Sequence, residues 1–146
     1  MSVTPSIWAG HRTSALRELF LCQKRLMLII TNSSRLSHSA PLFKQLSILP
    51  VYDINNLQVG CFMYSAVNRL LPQCFSSMFV TNSTLHSYST RRHNDIHQTQ
   101  FRLNITKFSI RVYGALLWNS LDSEIKCLPT LSSFKNRYKQ NLIASL

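Results

Sequence analysis

The amino-terminal part of the chain carries apolar residues at intervals of three to four positions, the period of a helix that buries one side. Thr13 or Ser14 is a suitable N-cap for this helix, and the pattern continues to about Ile30. Glu18 falls in an early turn, where a negative charge stabilises a helix. The side that we expect to be buried carries Leu16, Leu19, Phe20, Gln23, Leu26, Met27 and Ile30.

The middle of the chain carries the longest apolar helix pattern. It follows Pro50, and Asp53 is the expected cap. The pattern extends from Ile54 to Leu71, and Pro72 ends it because proline cannot continue a helix. Apolar side chains fall on most sides of this helix, which is typical of a central element that its neighbours cover all round.

The region after the central helix changes character twice. Residues 81–100 are polar and follow neither a helical nor a strand period, so we expect a loop. Phe108, Ile110 and Val112 then alternate with polar residues, which predicts a half-buried strand. Trp118 stands among leucines, which predicts a short helix anchored by one buried indole.

Two more helices are expected at the carboxyl-terminal end. Asp122 and Glu124 begin a brief helix that Pro129 ends. The last helix begins at Ser132 or Ser133. Its apolar side carries Phe134, Tyr138 and Leu142.

These elements predict a mainly α fold, a compact helical unit with a small β element near residues 101–113. A chain of 146 residues allows a single domain or subdomain spanning 1–146. Within it we distinguish a basic helical part, a central apolar helix, a polar loop, and a strand with the Trp-anchored and terminal helices. These parts span residues 1–50, 51–80, 81–100 and 101–146.

The charge balance is strongly one-sided. The sequence contains 16 Lys+Arg against 5 Asp+Glu, a formal net charge of +11 at pH 7. Such a surface attracts polyanions, and nucleic acid is the commonest polyanionic partner of a basic domain. Two alternatives stay open: the basic surface is inert, or its acidic partner belongs to a neighbouring segment.

Cysteine spacing and hydropathy restrict the other function classes. The four cysteines are far apart and form no C-x-x-C pair, so we expect free thiols in an intracellular, reducing compartment and no zinc finger. The longest aliphatic run, Leu26 to Ile30, is five residues, which predicts no membrane partner. His93 and His97 are four apart but lack the glutamate of a zinc-binding helix motif, so we predict neither a metal nor a cofactor.

The basic side chains are therefore the candidate functional residues. Lysine and arginine neutralise phosphates as fixed charges, and aromatic side chains stack on unpaired bases. Tyr88 and Tyr113 are candidates for stacking, whereas Trp118 is expected in the core. For each basic residue the alternative is an ordinary solvated cation. The nucleic-acid-binding residues that we predict are Lys24, Arg25, Arg91, Arg92, Arg102, Lys107 and Arg111.

The run from Ser109 to Leu121, SIRVYGALLWNSL, resembles the S-I-R-x-x-G-x-x-L-W-N-S-L signature near the carboxyl end of LINE-type (non-LTR) retrotransposon reverse transcriptases of the jockey-like kind. Further short blocks resemble the family and follow its order along the chain. They are Trp8 with Gly10, Gln23-Lys24-Arg25, His38-Ser39-Ala40-Pro41-Leu42-Phe43, Phe62-Met63-Tyr64, Leu71-Pro72, His86 with Thr90-Arg91, and Phe134-Lys135 with Lys139 and Leu142.

The resemblance implies a region beyond the palm of the enzyme, on its thumb side, that helps to hold template RNA or target DNA. The rest of the reverse transcriptase would then be its partner. An RNA-directed DNA polymerase needs carboxylates that hold two divalent metals, and the family's palm supplies an Asp-Asp doublet. None of the five acidic residues forms such a doublet, so we predict that this chain alone is not an enzyme. These residues are Glu18, Asp53, Asp95, Asp122 and Glu124.

Three hypotheses about function stay open from the sequence. In the first, the chain is a non-catalytic carboxyl-terminal part of a transposable element's reverse transcriptase that binds nucleic acid without reading its sequence. In the second, it is a degenerate piece of a truncated element with no function of its own. In the third, it is a protein-interaction module recruited by the host.

Overall fold

The computed structural model of the protein describes residues 13–75, 77–85, 87, 91–98, 100, 106 and 108–146. The mainly helical, compact fold that the sequence predicts is confirmed. The α-helices in this part of the chain are α1 (Thr13–Ile30), α2 (Ser39–Gln45), α3 (Val51–Val67), α4 (Asn82–Leu85), α5 (Ala115–Ser120), α6 (Ser123–Lys126) and α7 (Leu131–Ala144). The other helical turns are a 3₁₀ turn at Gln73–Phe75 and a π-helical turn at Ile110–Gly114, which leads directly into α5.

Helix α3 occupies the centre of the molecule, as its apolar pattern predicts. It packs against α1, α5, α7 and the π-helical turn. Val59 and Met63 are completely buried, and Tyr64 on another side of the helix is 2% exposed. No side of α3 is exposed to water along its whole length, so the sequence of this helix lacks the polar stripe that a surface helix carries.

An aromatic cluster joins α3, α5 and α7. Phe134 is completely buried at its centre, with its ring centroid 4.8 Å from that of Tyr64, 5.7 Å from Tyr138 and 5.9 Å from Trp118. The rings are tilted against one another, an arrangement that aromatic pairs favour. The Tyr64 hydroxyl donates to the carbonyl of Leu128 at 2.6 Å, which satisfies the one polar atom of that ring. The core position predicted for Trp118 is confirmed.

Two glycines allow the helices to approach closely. A Cβ atom at Gly60 would lie 2.6 Å from the ring of Tyr138 on α7. A Cβ atom at Gly114 would lie 2.7 Å from the sulfur of Met63 on α3. Both distances are shorter than a carbon atom tolerates, so a side chain at either position would push a neighbouring element away from α3.

Helix α1 is attached to the start of α3 by the Gln23 side chain and by the Phe20 ring, whose centroid lies 5.3 Å from that of Tyr52. The Gln23 amide donates to the carbonyl of Leu49 at 2.8 Å, and its carbonyl accepts from the amide of Val51 at 3.0 Å. Val51 is the first residue of α3, and the first amides of a helix have no partner within it. Gln23 therefore caps α3 from another helix, while Phe20 packs on Phe43.

The prediction of a β element near residues 101–113 is wrong for the residues of this range that the structure describes. Residues 110–114 form the π-helical turn, and the Tyr113 amide donates to the carbonyl of Ser109 at 2.8 Å. A strand needs a neighbouring strand to satisfy its backbone, and this segment packs on a helix. Alternation over three apolar residues is too short to exclude a helical turn. Residues 101–105 and 107 lie outside the described part of the chain.

The polar stretch 81–100 is more ordered than its composition indicates. It contains α4 and an isolated antiparallel bridge between Thr81 and Ile96. Ile96 is 3% exposed and belongs to the main core. A single isoleucine carries no periodic signal, so the sequence pattern could not identify this anchor.

Three helices end in the same way, and this kind of end explains why α3 stops before its predicted boundary. The residue after each C-cap has a positive φ: 49° at Asn32, 53° at Ser47 and 57° at Arg69. The amide two residues beyond each C-cap bonds back to a carbonyl five positions earlier, the Schellman arrangement. Helix α3 therefore ends at Val67, four residues before the predicted end at Leu71.

We expect Gln23→Leu to lower the free energy of unfolding by about 1–3 kcal/mol, because the Leu49 carbonyl and the Val51 amide lose their partner. Urea unfolding followed by circular dichroism measures the change. Gln140→Leu on an exposed side of α7 is the matched control and should change stability by less than about 0.5 kcal/mol. Equal unfolding midpoints for the two variants would contradict a capping role for Gln23.

Ser47→Gly is expected to raise the free energy of unfolding by up to about 1 kcal/mol, because glycine adopts a positive φ without the steric cost that serine bears. Ser37→Gly, also exposed but without a positive φ, should give no gain. Thermal unfolding of the two variants beside the wild type makes the comparison. A lower stability for Ser47→Gly than for the wild type would be inconsistent with this helix end.

Candidate nucleic-acid interface

The predicted pair Lys24 and Arg25 lies on α1, but its two members differ in environment. The Lys24 ammonium lies 4.7 Å from the centroid of the Phe20 ring, a cation–π distance that keeps this side chain close to the helix. Arg25 is exposed. It lines a surface cleft of about 380 Å³ at the carboxyl-terminal end of α1, and Arg35 lines the same cleft. Arg35 was not predicted as a site residue.

Arg91 and Arg92 lie in a turn between α4 and Ile96, and both side chains are exposed. The Arg92 carbonyl accepts from the Asn82 side chain at 2.9 Å, which fixes the main chain of the turn. A ring nitrogen of His97 lies 3.2 Å from the other polar atom of the same Asn82 amide. The two guanidinium groups are thus presented to solvent from a main chain that α4 holds in place.

Asn119 ties this turn to the core. Its amide nitrogen donates to the carbonyl of Ile96 at 2.9 Å, and its amide oxygen accepts from the Ile96 main-chain N–H at 3.0 Å. The side chain thus makes the two hydrogen bonds that a neighbouring strand residue would make. Asn119 lies on α5, directly after the buried Trp118. Asn119 also belongs to the motif SIRVYGALLWNSL, which by itself indicates no role for it.

Arg111 lies on the π-helical turn and is exposed, while Val112 and Gly114 beside it are buried. The turn widens the helix by one residue, and such insertions change the direction in which neighbouring side chains point. Here the turn separates one solvent-facing cation from the buried positions that pack on α3. Arg111 is thus exposed on a helical turn, whereas the sequence predicts a strand for this segment.

Tyr113 uses its hydroxyl inside the protein. The hydroxyl donates to the amide oxygen of Asn56, and the Asn56 amide donates to Asp53 at 3.3 Å. Burial raises the pKa of Tyr113, and the nearby Asp53 raises it further. Burial also raises the pKa of Asp53, and its hydrogen bond with Asn56 partly offsets that effect. The ring is half-buried and fixed by this bond, which leaves little of it for the base stacking predicted from the sequence.

Arg102, Lys107 and Tyr88 lie outside the residues that the structure describes. Three further cations occupy exposed positions on α7 and were not predicted as site residues: Lys135, Arg137 and Lys139. Lys135 and Lys139 belong to a block quoted for the family resemblance, whereas Arg137 belongs to none.

The described candidates lie on three separate elements. Lys24 and Arg25 belong to α1, which is attached to the start of α3, whereas Arg91 and Arg92 are attached through Asn119 to α5. Arg111 belongs to the π-helical turn that precedes α5. A ligand that contacts all of them would have to extend over several elements, which suits a polymer better than a small molecule.

Nothing in the described part of the chain assembles a metal-dependent centre. No group of three or more His, Cys, Asp or Glu side chains in that part is close enough to hold a metal ion. Cys61 is half-buried in a groove between α3 and α7, where burial raises the pKa of its thiol and Lys135 partly lowers it. A raised thiol pKa leaves the unreactive protonated form at neutral pH.

Among the described residues, no helix combines the length and the apolar character of a membrane-crossing segment.

We expect Asn119→Asp to release the Arg91–Arg92 turn, because a carboxylate oxygen would face the carbonyl of Ile96 in place of the amide donor. Hydrogen exchange at the amides of Ile96 and His97 should accelerate at least tenfold, while the amide of Phe134 keeps its protection. Ser120→Ala, at the next, exposed position, is the control and should change neither. Unchanged exchange at Ile96 in Asn119→Asp would show that the turn is held by other contacts.

Comparison of the chain with models of protein families, with curated proteins and with solved structures gives no match. The resemblance to retrotransposon reverse transcriptases therefore stays a prediction that depends on the short motifs quoted above.

Proposed function

We propose that this chain is a non-catalytic, carboxyl-terminal part of a non-LTR retrotransposon reverse transcriptase and that it binds RNA template or target DNA through exposed basic side chains. The observation that carries the proposal is the exposure of cations on several elements of a chain with a net charge of +11. The short motifs, which follow the order of the family along the chain, support the assignment to that family. The net positive charge supports nucleic acid as the class of ligand.

Electrostatics support binding to the phosphate backbone and not to base edges. Arg25, Arg91, Arg92 and Arg111 are exposed, and guanidinium groups match phosphate oxygens with two parallel hydrogen bonds. Contacts of this kind position a polymer without reading its sequence. The proposed binding is therefore electrostatic and independent of sequence, with the turn at Arg91 and Arg92 as its best-held part.

The acidic residues support a role outside the catalytic centre. Asp53 is half-buried on α3 and bonds Asn56, and Asp122 is the N-cap residue of α6. Glu124 lies in the first turn of α6, where its charge favours the helix. The surroundings of Asp53 and Glu124 are those of structural carboxylates, which supports a role for this chain outside the catalytic centre.

A salt titration of RNA and DNA binding to the full chain tests the proposal. The logarithm of the association constant should fall linearly with the logarithm of salt concentration. Arg91→Ala/Arg92→Ala and Lys24→Ala/Arg25→Ala should each weaken binding and reduce the slope by about 1–2, since each removes up to two phosphate contacts.

Arg137→Ala/Lys139→Ala on α7 removes the same charge from a surface outside the predicted site, and it should leave the slope nearly unchanged. Unfolding midpoints of all variants identify any that lose binding through loss of structure. Absence of RNA and DNA binding at low salt would overturn the proposed function. An equal effect of the α7 variant would overturn the assignment of the surface.

A further inference from the structure

The described part of the chain contains a cleft of about 650 Å³ between the carboxyl-terminal end of α3 and the segment that carries α4. Its volume lies within the range of ligand pockets, roughly 300–1,000 Å³. The residues that line it include Val67, Arg69, Phe75, Phe79, Thr84 and Ile96. Val67, Arg69 and Thr84 are exposed, so the cleft is open to solvent on this side. We call it the α3–α4 cleft.

Aromatic rings form part of the wall of the α3–α4 cleft. Phe75 and Phe79 both contact Phe62 on α3, with ring centroids 6.0 Å and 6.1 Å from that of Phe62. The rings meet Phe62 at 85° and 71°, so neither is stacked face to face on it. Phe62 thus holds both rings in place, while both remain partly exposed. Partly exposed aromatic rings are the surfaces on which unpaired bases stack.

The charge at the α3–α4 cleft is positive. Among the described residues that line it, Arg69 alone is charged. Asp95 precedes Ile96 in the chain but does not line the cleft. The main chain of Arg69 is fixed by the end of α3, where the Leu70 amide donates to the Ser65 carbonyl at 2.8 Å. A cation at the rim of an apolar cleft complements a ligand that combines an apolar ring with an anionic group, as a nucleotide does.

One wall of the α3–α4 cleft belongs to the segment that also carries Arg91 and Arg92. Thr81, which lines the cleft, forms an antiparallel bridge with Ile96. Asn82 follows it and donates its side-chain amide to the Arg92 carbonyl at 2.9 Å. The cleft and the exposed guanidinium groups of Arg91 and Arg92 are therefore held by the same main-chain contacts.

We infer that the α3–α4 cleft receives an unpaired base of a bound single strand, which stacks on Phe75 or Phe79 while an adjacent phosphate pairs with Arg69. The inference rests on the proposed function and adds the class of strand. A base within a duplex is stacked and paired, so it cannot enter the cleft without leaving the helix. Every base has a face that can stack, so this contact does not read the sequence. It also supplies the stacking surface that the bonded Tyr113 ring does not offer.

Binding of the full chain to two single strands of equal length tests the cleft. One is an oligothymidylate, and the other is an abasic strand with the same sugars and phosphates. The oligothymidylate should bind at least about tenfold more tightly, because only its bases can stack. Thr84→Trp should remove most of this preference by filling the cleft, and it should leave the affinity for the abasic strand and its salt slope unchanged.

Leu85→Trp is the matched control for the filling variant. Leu85 also lies on α4, is 48% exposed and does not line the cleft. This variant should keep the wild-type preference for the oligothymidylate. Circular dichroism shows whether both tryptophan variants keep the helical content of the wild type.

Amide chemical shifts of the wild type give a second measurement that does not depend on the folding of any variant. The oligothymidylate should shift the signals of Val67, Thr84 and Ile96 more than the abasic strand does. The signal of Lys139 on α7 should respond equally to the two strands.

The outcomes separate this inference from the proposed function. If the wild type binds both strands with equal affinity, or if the two strands shift the cleft signals equally, the base site is overturned and the proposed function stands. A folded Thr84→Trp variant that keeps the preference also overturns the base site. If neither strand binds at low salt, the proposed function fails and the base site fails with it.

Discussion

The structure depends on covering a central helix that is apolar on nearly every side. Helix α3 has no continuous polar side that could face solvent. Elements that come before and after it in the chain therefore pack on it together. Gly60 and Gly114 set how closely two of those elements approach. Because each covering element buries its own apolar side only against α3 and its neighbours, these elements stabilise one another, which favours cooperative folding.

Hydrogen bonds from side chains to distant main-chain groups complete this packing. Gln23, Tyr64 and Asn119 each bond the main chain of a segment 23–64 positions away in sequence. In each case a bonded carbonyl lies between helices: that of Leu49 before α3, that of Leu128 before α7 and that of Ile96 after α4. Apolar packing positions the helices of this fold, and these three polar side chains position the connections between them.

The apolar pattern predicted the helices α1 and α3 and the burial of Trp118 and Phe134. Its buried side for α1 was wrong in part, because Leu19, Leu26 and Ile30 are exposed. It failed where the outcome depends on single residues or on backbone conformation. The early end of α3 requires a positive φ at Arg69, and no glycine marks it. The supposed strand had no partner strand, which its own alternation could not reveal. The site residues were predicted from charge alone, and their distribution over three elements follows from the predicted helix, loop and strand, although the strand is a π-helical turn.

The hydrogen bonds between Asn119 and Ile96 make substitutions easier to tolerate at position 96 than at position 119. The hydrogen bonds involve only main-chain atoms of Ile96, so any apolar side chain of similar volume at position 96 would preserve them. Position 119 must supply a donor and an acceptor on one short planar group, which few other side chains do. Sequence drift should therefore be readily accepted at the anchored residue and strongly resisted at the residue that anchors it.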